Sequence, residues 1–211
     1  MKEWRDYIIR HLRQYRYSIL RRRLKNKNFS LMANNCLGAI FMHDIQQPFL
    51  TPMVNAGMVP SDFVKFLNNL DYYLSVDVKI SQEESGDTWQ FGYIDDIRIL
   101  FMHFKYYDEP RVKWMERRNR INRDNMFIIM TERDDCKYED LVAFDHLPYK
   151  NKVVFTVREY PELKSAFHLK GCIDPKTGQL GYAYEYPHWW SLSRYMEQFD
   201  LIKWFNDSSH S

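Results

Sequence analysis

The chain of 211 residues has room for one domain with an appended arm, because domains of soluble proteins usually take about 100–200 residues. Hydrophobic residues make up 45% and charged residues 27%, which excludes a disordered chain and a fibrous one. Aromatic residues reach 17% against only 7 glycines, so a glycine-rich phosphate loop is disfavoured and clefts walled by aromatic rings are indicated.

Positive charge is concentrated at the amino end of the chain. Residues 1–28 contain ten Lys or Arg against two acidic residues, a formal charge of +8, so the remaining residues carry −6 within a total of +2. Apolar residues recur at helical spacing along this arm, which predicts a basic amphipathic helix. Two interpretations stay open: the apolar stripe covers part of the domain, or the helix lies on an anionic membrane surface. We divide the chain into a basic arm at 1–28 and a single α/β domain at 29–211.

The cysteine content and the lack of long apolar segments predict a cytoplasmic protein. Three cysteines at wide, irregular spacing favour neither a disulfide framework nor a zinc ribbon. The first residues lack the apolar stretch of a signal peptide, and no segment approaches the ~20 apolar residues of a membrane span. The arm is a candidate for peripheral contact with the inner face of the membrane. Since no His-x-His or His-Glu-x-x-His spacing is present, we expect no bound metal.

Apolar periodicity and turn-prone residues divide the body into alternating strands and helices. The predicted strands are residues 29–33, 76–80, 89–94, 97–104, 126–130 and 153–157. The predicted helices are residues 37–47, 62–74, 110–121, 136–146 and 192–205, with Ser61 and Ser191 as helix caps. Residues 81–87 are a predicted polar turn, and Asp95 and Asp96 are expected to join a hairpin. This order predicts a three-layer α/β sandwich whose sheet is made mixed by the hairpin.

The turn after the first predicted strand is the main candidate site. Ligands of open α/β sheets bind at the carboxyl ends of strands, and residues 34–38 follow such an end. Cys36 precedes a helix, where backbone N–H groups favour a thiolate nucleophile; an inert buried cysteine is the alternative. Asn34 and Asn35 are expected either to bind a substrate carbonyl or hydroxyl or to tie the turn together.

Two histidines are candidates for a base that acts with Cys36. His103 ends the predicted strand with the strongest pattern, so it could reach the same crevice as the thiol and complete a nucleophile–base pair. A structural hydrogen bond is the alternative role of His103. His43, one or two turns after Cys36, is the competing base and a candidate substrate-binding residue.

The helix around residues 113–125 is the densest basic patch of the body. Arginine side chains hold phosphates through two parallel hydrogen bonds, so this helix could clamp a diphosphate or an acidic sugar; a solvated helix face is the alternative. The tyrosine-rich residues 182–190 could wall a sugar, although core packing is the commoner use of such rings. The candidate substrate-binding residues of the patch are Trp114, Arg117, Arg118, Arg120, Asn122 and Asn125.

Two motifs give the chain a family resemblance. The sequences FSLMANNCLG at 29–38 and KWMERRNRIN at 113–122, with further matches to about residue 159, resemble the bacterial family known as domain of unknown function 1919. The resemblance implies a Rossmann-like fold and a role in exopolysaccharide or capsule biosynthesis, with a carbohydrate or nucleotide-sugar ligand. The Asn-Cys turn is also similar to that of a capsule-sugar acetyltransferase family that uses coenzyme A.

Two functional hypotheses follow from these patterns. The first is a cytoplasmic transferase, of acyl or glycosyl type, that acts on a surface-polysaccharide precursor with Cys36 and His103 as catalytic residues. Coenzyme A and a nucleotide sugar are its candidate cosubstrates. The second is a non-catalytic scaffold that residues 1–28 recruit to membrane-bound assembly machinery. The body contains no recognised nucleic-acid module, so we expect no nucleic-acid partner.

Overall fold

The structure is a computed structural model that describes residues 2–81 and 89–207, apart from the Lys2 side chain. Most of the polar turn predicted at 81–87 lies outside these residues. The helices are α1 (Lys2–Arg23), α2 (Leu37–Asp44), α3 (Pro60–Asn68), α4 (Leu70–Ser75), α5 (Glu109–Arg118), α6 (Tyr138–Asp145) and α7 (Leu201–Asp207), with a 3-10 turn at Tyr195–Gln198. The strands are β1 (Ser30–Ala33), β2 (Ala56–Gly57), β3 (Lys79–Ile80), β4 (Trp89–Ile94), β5 (Ile97–Met102), β6 (Met126–Thr131), β7 (Lys152–Thr156) and β8 (Ala166–His168).

Four parallel strands form the central sheet, in the order β1-β6-β7-β8. Met32 in β1 lies beside Ile128 in β6, and Ile129 lies beside Val153 in β7. Every residue of β1 and β6 is buried, as expected for parallel strands that are covered on both faces. The carboxyl ends of all four strands therefore meet at one edge of the sheet, which we call the carboxyl edge.

The remaining strands form a separate antiparallel sheet in the order β2-β5-β4-β3. The predicted hairpin is confirmed, since β4 pairs with β5 across the turn at Asp95 and Asp96 and Ile94 lies beside Ile97. The prediction of an α/β sandwich with an N-terminal basic helix is also confirmed. The parallel and antiparallel strands, however, occupy two sheets rather than one mixed sheet.

Alternating side chains of the parallel sheet build two hydrophobic cores. Ile128 and Met130 of β6 face the core shared with α3, α4, α5, α6 and the antiparallel sheet. Phe127 and Ile129 face the opposite core, which contains side chains of α1, α2 and α7. Successive residues of a strand point to opposite faces, so this one sheet organises both layers that cover it.

The N-terminal helix α1 has one docked face and one exposed face. Tyr17 and Leu20 are buried in the second core, and Arg13 donates hydrogen bonds to backbone carbonyls at residues 189 and 191, at 2.8 and 3.0 Å. Near the start of α1, Trp4 is 70% exposed. Across residues 2–81 and 89–207, each helix is too short or too polar to span a bilayer.

The helix predicted at residues 62–74 begins and ends at different residues in the structure. α3 begins at Pro60 with Val59 at the capping position, so Ser61 lies inside the helix and does not cap it. Proline suits the first helical turn because it has no N–H to leave unpaired and its φ is already helical. A break at Asn69, with φ −132° and ψ 50°, separates α3 from α4.

The C-terminal segment also departs from the prediction of one long helix. A 3-10 turn and α7 replace it, and the Ser191 hydroxyl accepts the His188 backbone N–H at 3.1 Å instead of capping a helix. Glu197 in the 3-10 turn binds side chains of α1, so tertiary contacts set this conformation. The strand predicted at 76–80 shortens to β3, and β2 and β8 were not predicted because strands of two or three residues show no periodicity.

Removal of the Phe205 ring is expected to destabilise the fold strongly. This fully buried ring of α7 lies 4.4 Å from the Phe29 ring and 4.9 Å from the Phe127 ring, between centroids. Phe205→Ala should therefore lower the free energy of unfolding by about 3–5 kcal/mol, as measured by chemical denaturation. Tyr106→Ala, at a side chain that is 73% exposed, is the control and should change it by less than about 0.5 kcal/mol. Equal midpoints for the two variants would contradict the proposed core.

Candidate functional site

Asn34, the first residue after β1, joins three strands at the carboxyl edge. Its side-chain Oδ1 accepts the Thr131 backbone N–H at 3.1 Å and the Thr131 hydroxyl at 3.3 Å. Its backbone carbonyl accepts the N–H of Met58, directly after β2, at 2.9 Å. The bond from the Thr131 N–H fixes which side of the amide is oxygen, and the other atom, Nδ2, is buried without a hydrogen-bond partner.

Asn35 ties the turn to both of its neighbouring elements. Its Nδ2 donates to the Thr131 hydroxyl at 2.7 Å, and its Oδ1 accepts the N–H of Leu37 at the start of α2, at 3.0 Å. The Thr131 hydroxyl thus accepts from Asn35 and donates to Asn34. Side-chain bonds of this kind favour a turn over a continued strand, which explains why β1 ends at Ala33.

Cys36 occupies the capping position of α2, and its surroundings favour the protonated thiol over the thiolate. The side chain is half-buried, and its Sγ lies 4.0 Å from the Met102 Sδ at the end of β5. Burial raises the pKa of the Cys36 thiol because the charged form loses solvation. The effect of burial is therefore opposite in direction to the thiolate-forming effect predicted for the helix end.

Arg133 and two tyrosines continue the site along the sheet. The Arg133 guanidinium lies 3.9 Å from the centroid of the Tyr182 ring, and its Nε donates to the Asp134 carboxylate at 3.2 Å. Arg133 Nη1 is buried and has no hydrogen-bond partner. Burial raises the pKa of Tyr184 to about 12, with Tyr182 and Cys36 adding to the rise and Arg133 opposing it. Tyr184 therefore lies within electrostatic range of both the thiol and the guanidinium.

These side chains form one group at the carboxyl edge. We call it the carboxyl-edge cluster, and its members are Asn34, Asn35, Cys36, Thr131, Arg133, Tyr182 and Tyr184. Sequence reasoning missed Arg133 and Thr131, although both stand at the end of a predicted strand just as Asn34 does. The rule that ligands bind at the carboxyl ends of strands applies to Thr131 and Arg133 as it does to Asn34.

Neither candidate histidine is hydrogen-bonded to Cys36 within the described residues. His103 is exposed, with φ 64°, and directly follows Met102, whose sulfur contacts the thiol. The His43 side chain is 83% exposed, with its Nδ1 3.9 Å from the Asp44 carboxylate. The backbone of His103 is thus one residue along the chain from a side-chain contact with Cys36, and the catalytic role of His103 stays a prediction.

The structure does not bring the basic helix α5 into the cluster. Trp114 is 1% exposed and packs against the rings of Phe66 and Phe101, so its ring offers no wall to a sugar. Arg117 donates to the carbonyl of residue 54 at 3.0 Å, and Arg118 donates to the carbonyls of residues 74 and 76. Arg120, in the turn after α5, pairs with Glu116 of the helix. The helix uses its cations for internal bonds.

Asn122 and Asn125 lie at the opposite edge of the sheet from Cys36. Asn122 donates its backbone N–H to the Ser30 hydroxyl, and both asparagines donate Nδ2 to the carbonyl of Asn28, each at 2.8 Å. These contacts hold the amino end of β1 beside the amino end of β6. Since the strands are parallel, their amino and carboxyl ends are separated by the length of the strands.

A surface groove of about 360 Å³ also lies at the amino edge of the sheet. Its charged lining residues, Arg123 and Asp71, pair with each other at 2.6 Å and leave no unpartnered charge for a ligand. In the described part of the chain, no three His, Cys, Asp or Glu side chains are grouped as metal ligands would be. The groove lacks the buried unpartnered donors that distinguish the carboxyl-edge cluster.

A covered parallel sheet beside a separate antiparallel sheet places the chain in the α/β class of folds. The family described as a domain of unknown function (DUF1919) matches residues 8–206. A protein of Haemophilus influenzae (strain Rd), itself called uncharacterized, is 41% identical over 187 residues, or 89% of this chain and 88% of the relative. The chain belongs to the DUF1919 family, and the match extends beyond the motifs at 29–159 to include much of α1.

Alkylation kinetics should report a protonated Cys36. Because burial raises its pKa, the thiolate fraction near pH 7 is below that of an ordinary cysteine, so Cys36 should react with iodoacetamide more slowly than free cysteine. The rate should keep rising above pH ~8.5, the ordinary thiol pKa. Peptide mass spectrometry separates Cys36 from Cys136 and Cys172, whose pKa values burial raises to about 12 and about 11. Rapid modification of Cys36 at pH 7 would show a thiolate instead.

Proposed function

We propose that this protein is a transferase that acts on a surface-polysaccharide precursor and binds it at the carboxyl-edge cluster. The observation that carries this proposal is the grouping of a half-buried thiol with buried hydrogen-bond donors that have no partner. Buried polar groups in proteins are nearly always paired, and exceptions are common at ligand sites. The polysaccharide precursor is the substrate that the family resemblance implies, and the site's donors suit an oxygen-rich ligand of that kind.

The proposed chemistry is group transfer with Cys36 as nucleophile. As its sulfur forms a bond to the transferred acyl carbon, the bond from that carbon to the donor's leaving group breaks, and the thiol proton passes to a base. Tyr184, with a pKa of about 12, is protonated at neutral pH and serves as a hydrogen-bond donor rather than that base. His103 is the candidate base, because it is exposed and adjoins Met102.

Complementation of a deletion strain tests the transferase proposal. Deletion of the gene should alter the composition or substituents of the surface polysaccharide, measured by sugar analysis and NMR. The wild-type protein should restore the polysaccharide of the deletion strain, and the Cys36→Ala variant should not. Cys136→Ala is a matched control, since Cys136 is also half-buried but its thiol donates to the backbone carbonyl of Lys137, which is not a member of the cluster.

Restoration by Cys36→Ala to wild-type levels would remove the catalytic role of the thiol. A deletion strain with unchanged polysaccharide would remove the polysaccharide function itself. Loss of function in Cys136→Ala as well would indicate a general dependence on packing around the cysteines. The amounts of the variants in the cell are compared by immunoblot, so that misfolding is distinguished from loss of chemistry.

A second function, peripheral attachment to an anionic membrane, is favoured by the exposed face of α1. Trp4, Leu12, Tyr15 and Ile19 recur at spacings of three, four or eight residues, so they share one stripe of the helix, and they are 70%, 44%, 66% and 40% exposed. The residues that dock α1 on the body fall on a neighbouring stripe. Amphipathic helices with aromatic and basic residues lie in the membrane interface in this way.

The charge and the neighbours of this stripe are complementary to anionic lipid. Arg5, Arg10 and Arg22 are exposed on α1, among the ten basic residues of the arm. Trp189 and Trp190 are about half exposed, and Arg13 of α1 holds the carbonyl of Trp189 at 2.8 Å. Basic residues near an anionic surface each contribute about 1 kcal/mol of attraction, so the arm and these tryptophans form a continuous candidate contact surface.

Liposome flotation tests the membrane contact. The wild-type protein should float with vesicles of phosphatidylglycerol and phosphatidylcholine but not with phosphatidylcholine alone, and added salt should weaken the binding. Trp4→Glu should reduce the floating fraction severalfold, because it places a charge on the contact stripe. Tyr106→Glu, at an equally exposed ring near α5, is the control and should float like the wild type. Absence of the wild type from both vesicle fractions would exclude membrane attachment by this surface.

A further inference from the structure

Two donors of the carboxyl-edge cluster lack a hydrogen-bond acceptor among residues 2–81 and 89–207. They are the Nδ2 amide of Asn34 and the Nη1 of Arg133, and each atom is buried. The Asn34 residue as a whole is only 1% exposed, so water does not surround its amide. A buried donor without an acceptor is costly, and a ligand that supplies an oxygen removes that cost.

The protein holds both groups in fixed orientations. Thr131 binds the Asn34 Oδ1 through its N–H and its hydroxyl, which leaves Nδ2 as the free end of the amide. Asp134 binds the Nε edge of Arg133, while the Tyr182 ring lies 3.9 Å from the guanidinium carbon. Asp134 therefore occupies the Nε edge of Arg133, whereas the buried Nη1 has no acceptor among the described residues.

The charge balance at this site favours an anionic ligand. The Arg133 side chain is 14% exposed, whereas that of its partner Asp134 is 47% exposed. Solvent screens the exposed carboxylate of Asp134 more than the buried guanidinium, although Asp174 is a second carboxylate within electrostatic range of Arg133. Arginine is well suited to phosphate because its planar group presents several donors in a fixed arrangement.

We propose that Asn34 and Arg133 form an oxyanion subsite for a phosphate group of the substrate. The ring attached to that phosphate would contact Tyr182, which is 47% exposed beside the guanidinium. The assignment of that ring to a sugar rests on the proposed function, whereas the phosphate site itself does not. The sequence pattern instead indicated Arg117, Arg118 and Arg120 as a candidate phosphate clamp.

Binding of two simple probes tests the subsite. Inorganic pyrophosphate supplies the anion alone, and glucose 1-phosphate supplies the anion with a sugar ring. Both should raise the melting temperature of the wild-type protein and give saturable isotherms by calorimetry, at constant ionic strength. Arg133→Gln should weaken both probes at least tenfold. Arg98→Gln is the matched control, since Arg98 also lies over an aromatic ring, that of Phe91 at 3.7 Å, but in the antiparallel sheet.

A second variant keeps the test decisive if Arg133→Gln fails to fold. Tyr182→Ala removes an exposed ring and should weaken glucose 1-phosphate more than pyrophosphate. The subsite is overturned if neither probe binds the wild type, or if Arg133→Gln binds both as tightly as Arg98→Gln does. Arg133-dependent binding together with full complementation by Cys36→Ala would keep the subsite and reject the thiol chemistry. If Cys36→Ala fails to complement and neither probe binds the wild type, the subsite is rejected and the thiol chemistry is kept.

Discussion

The fold depends on the burial of a small parallel sheet on both of its faces. All six residues of β6 are buried, and alternate ones contribute to opposite cores. Neither face can be left in water, so the antiparallel sheet with α3 to α6 must cover one side and α1, α2 and α7 the other. Polar side chains are thereby confined to the two edges of the sheet, where the strands begin and end.

The two edges have different chemical roles. At the amino edge, Asn122 donates its backbone N–H to the Ser30 hydroxyl, and Asn125 donates its side-chain amide to the carbonyl of Asn28. These bonds hold the starts of β1 and β6 together. At the carboxyl edge, Asn34 uses its Oδ1 and carbonyl to join β1, β6 and the segment after β2, but its Nδ2 has no partner. The carboxyl edge is set apart by two unpartnered donors that lie in one cluster, on Asn34 and Arg133, within the described residues.

Burial also limits the chemistry that this site performs without a ligand. The same packing that orders the turn raises the pKa of the Cys36 thiol. A helix end stabilises a thiolate only modestly, and α2 has just eight residues, so desolvation dominates here. The transfer proposed for Cys36 therefore needs a base for the thiol proton.

The sequence by itself determined the local elements and the turn that carries the cluster. Short apolar runs predicted β1 and β6, β-forming residues predicted the hairpin, and helical spacing predicted α1. Side chains that favour turns placed Asn34 to Cys36 after a buried strand. These features depend on residues close together in the chain. The match of the family motifs at 29–38 and 113–122 was likewise readable without coordinates.

Only the tertiary structure decided which polar side chains have hydrogen-bond partners within the described part of the chain and which do not. Arg117 and Arg118 looked like a phosphate clamp because periodicity does not show that distant backbone carbonyls face them. Arg133 looked ordinary because its buried Nη1 and its contact with Tyr182 arise from segments almost fifty residues apart. Charge and hydrogen-bond satisfaction depend on neighbours in space, and the chain order does not specify those neighbours.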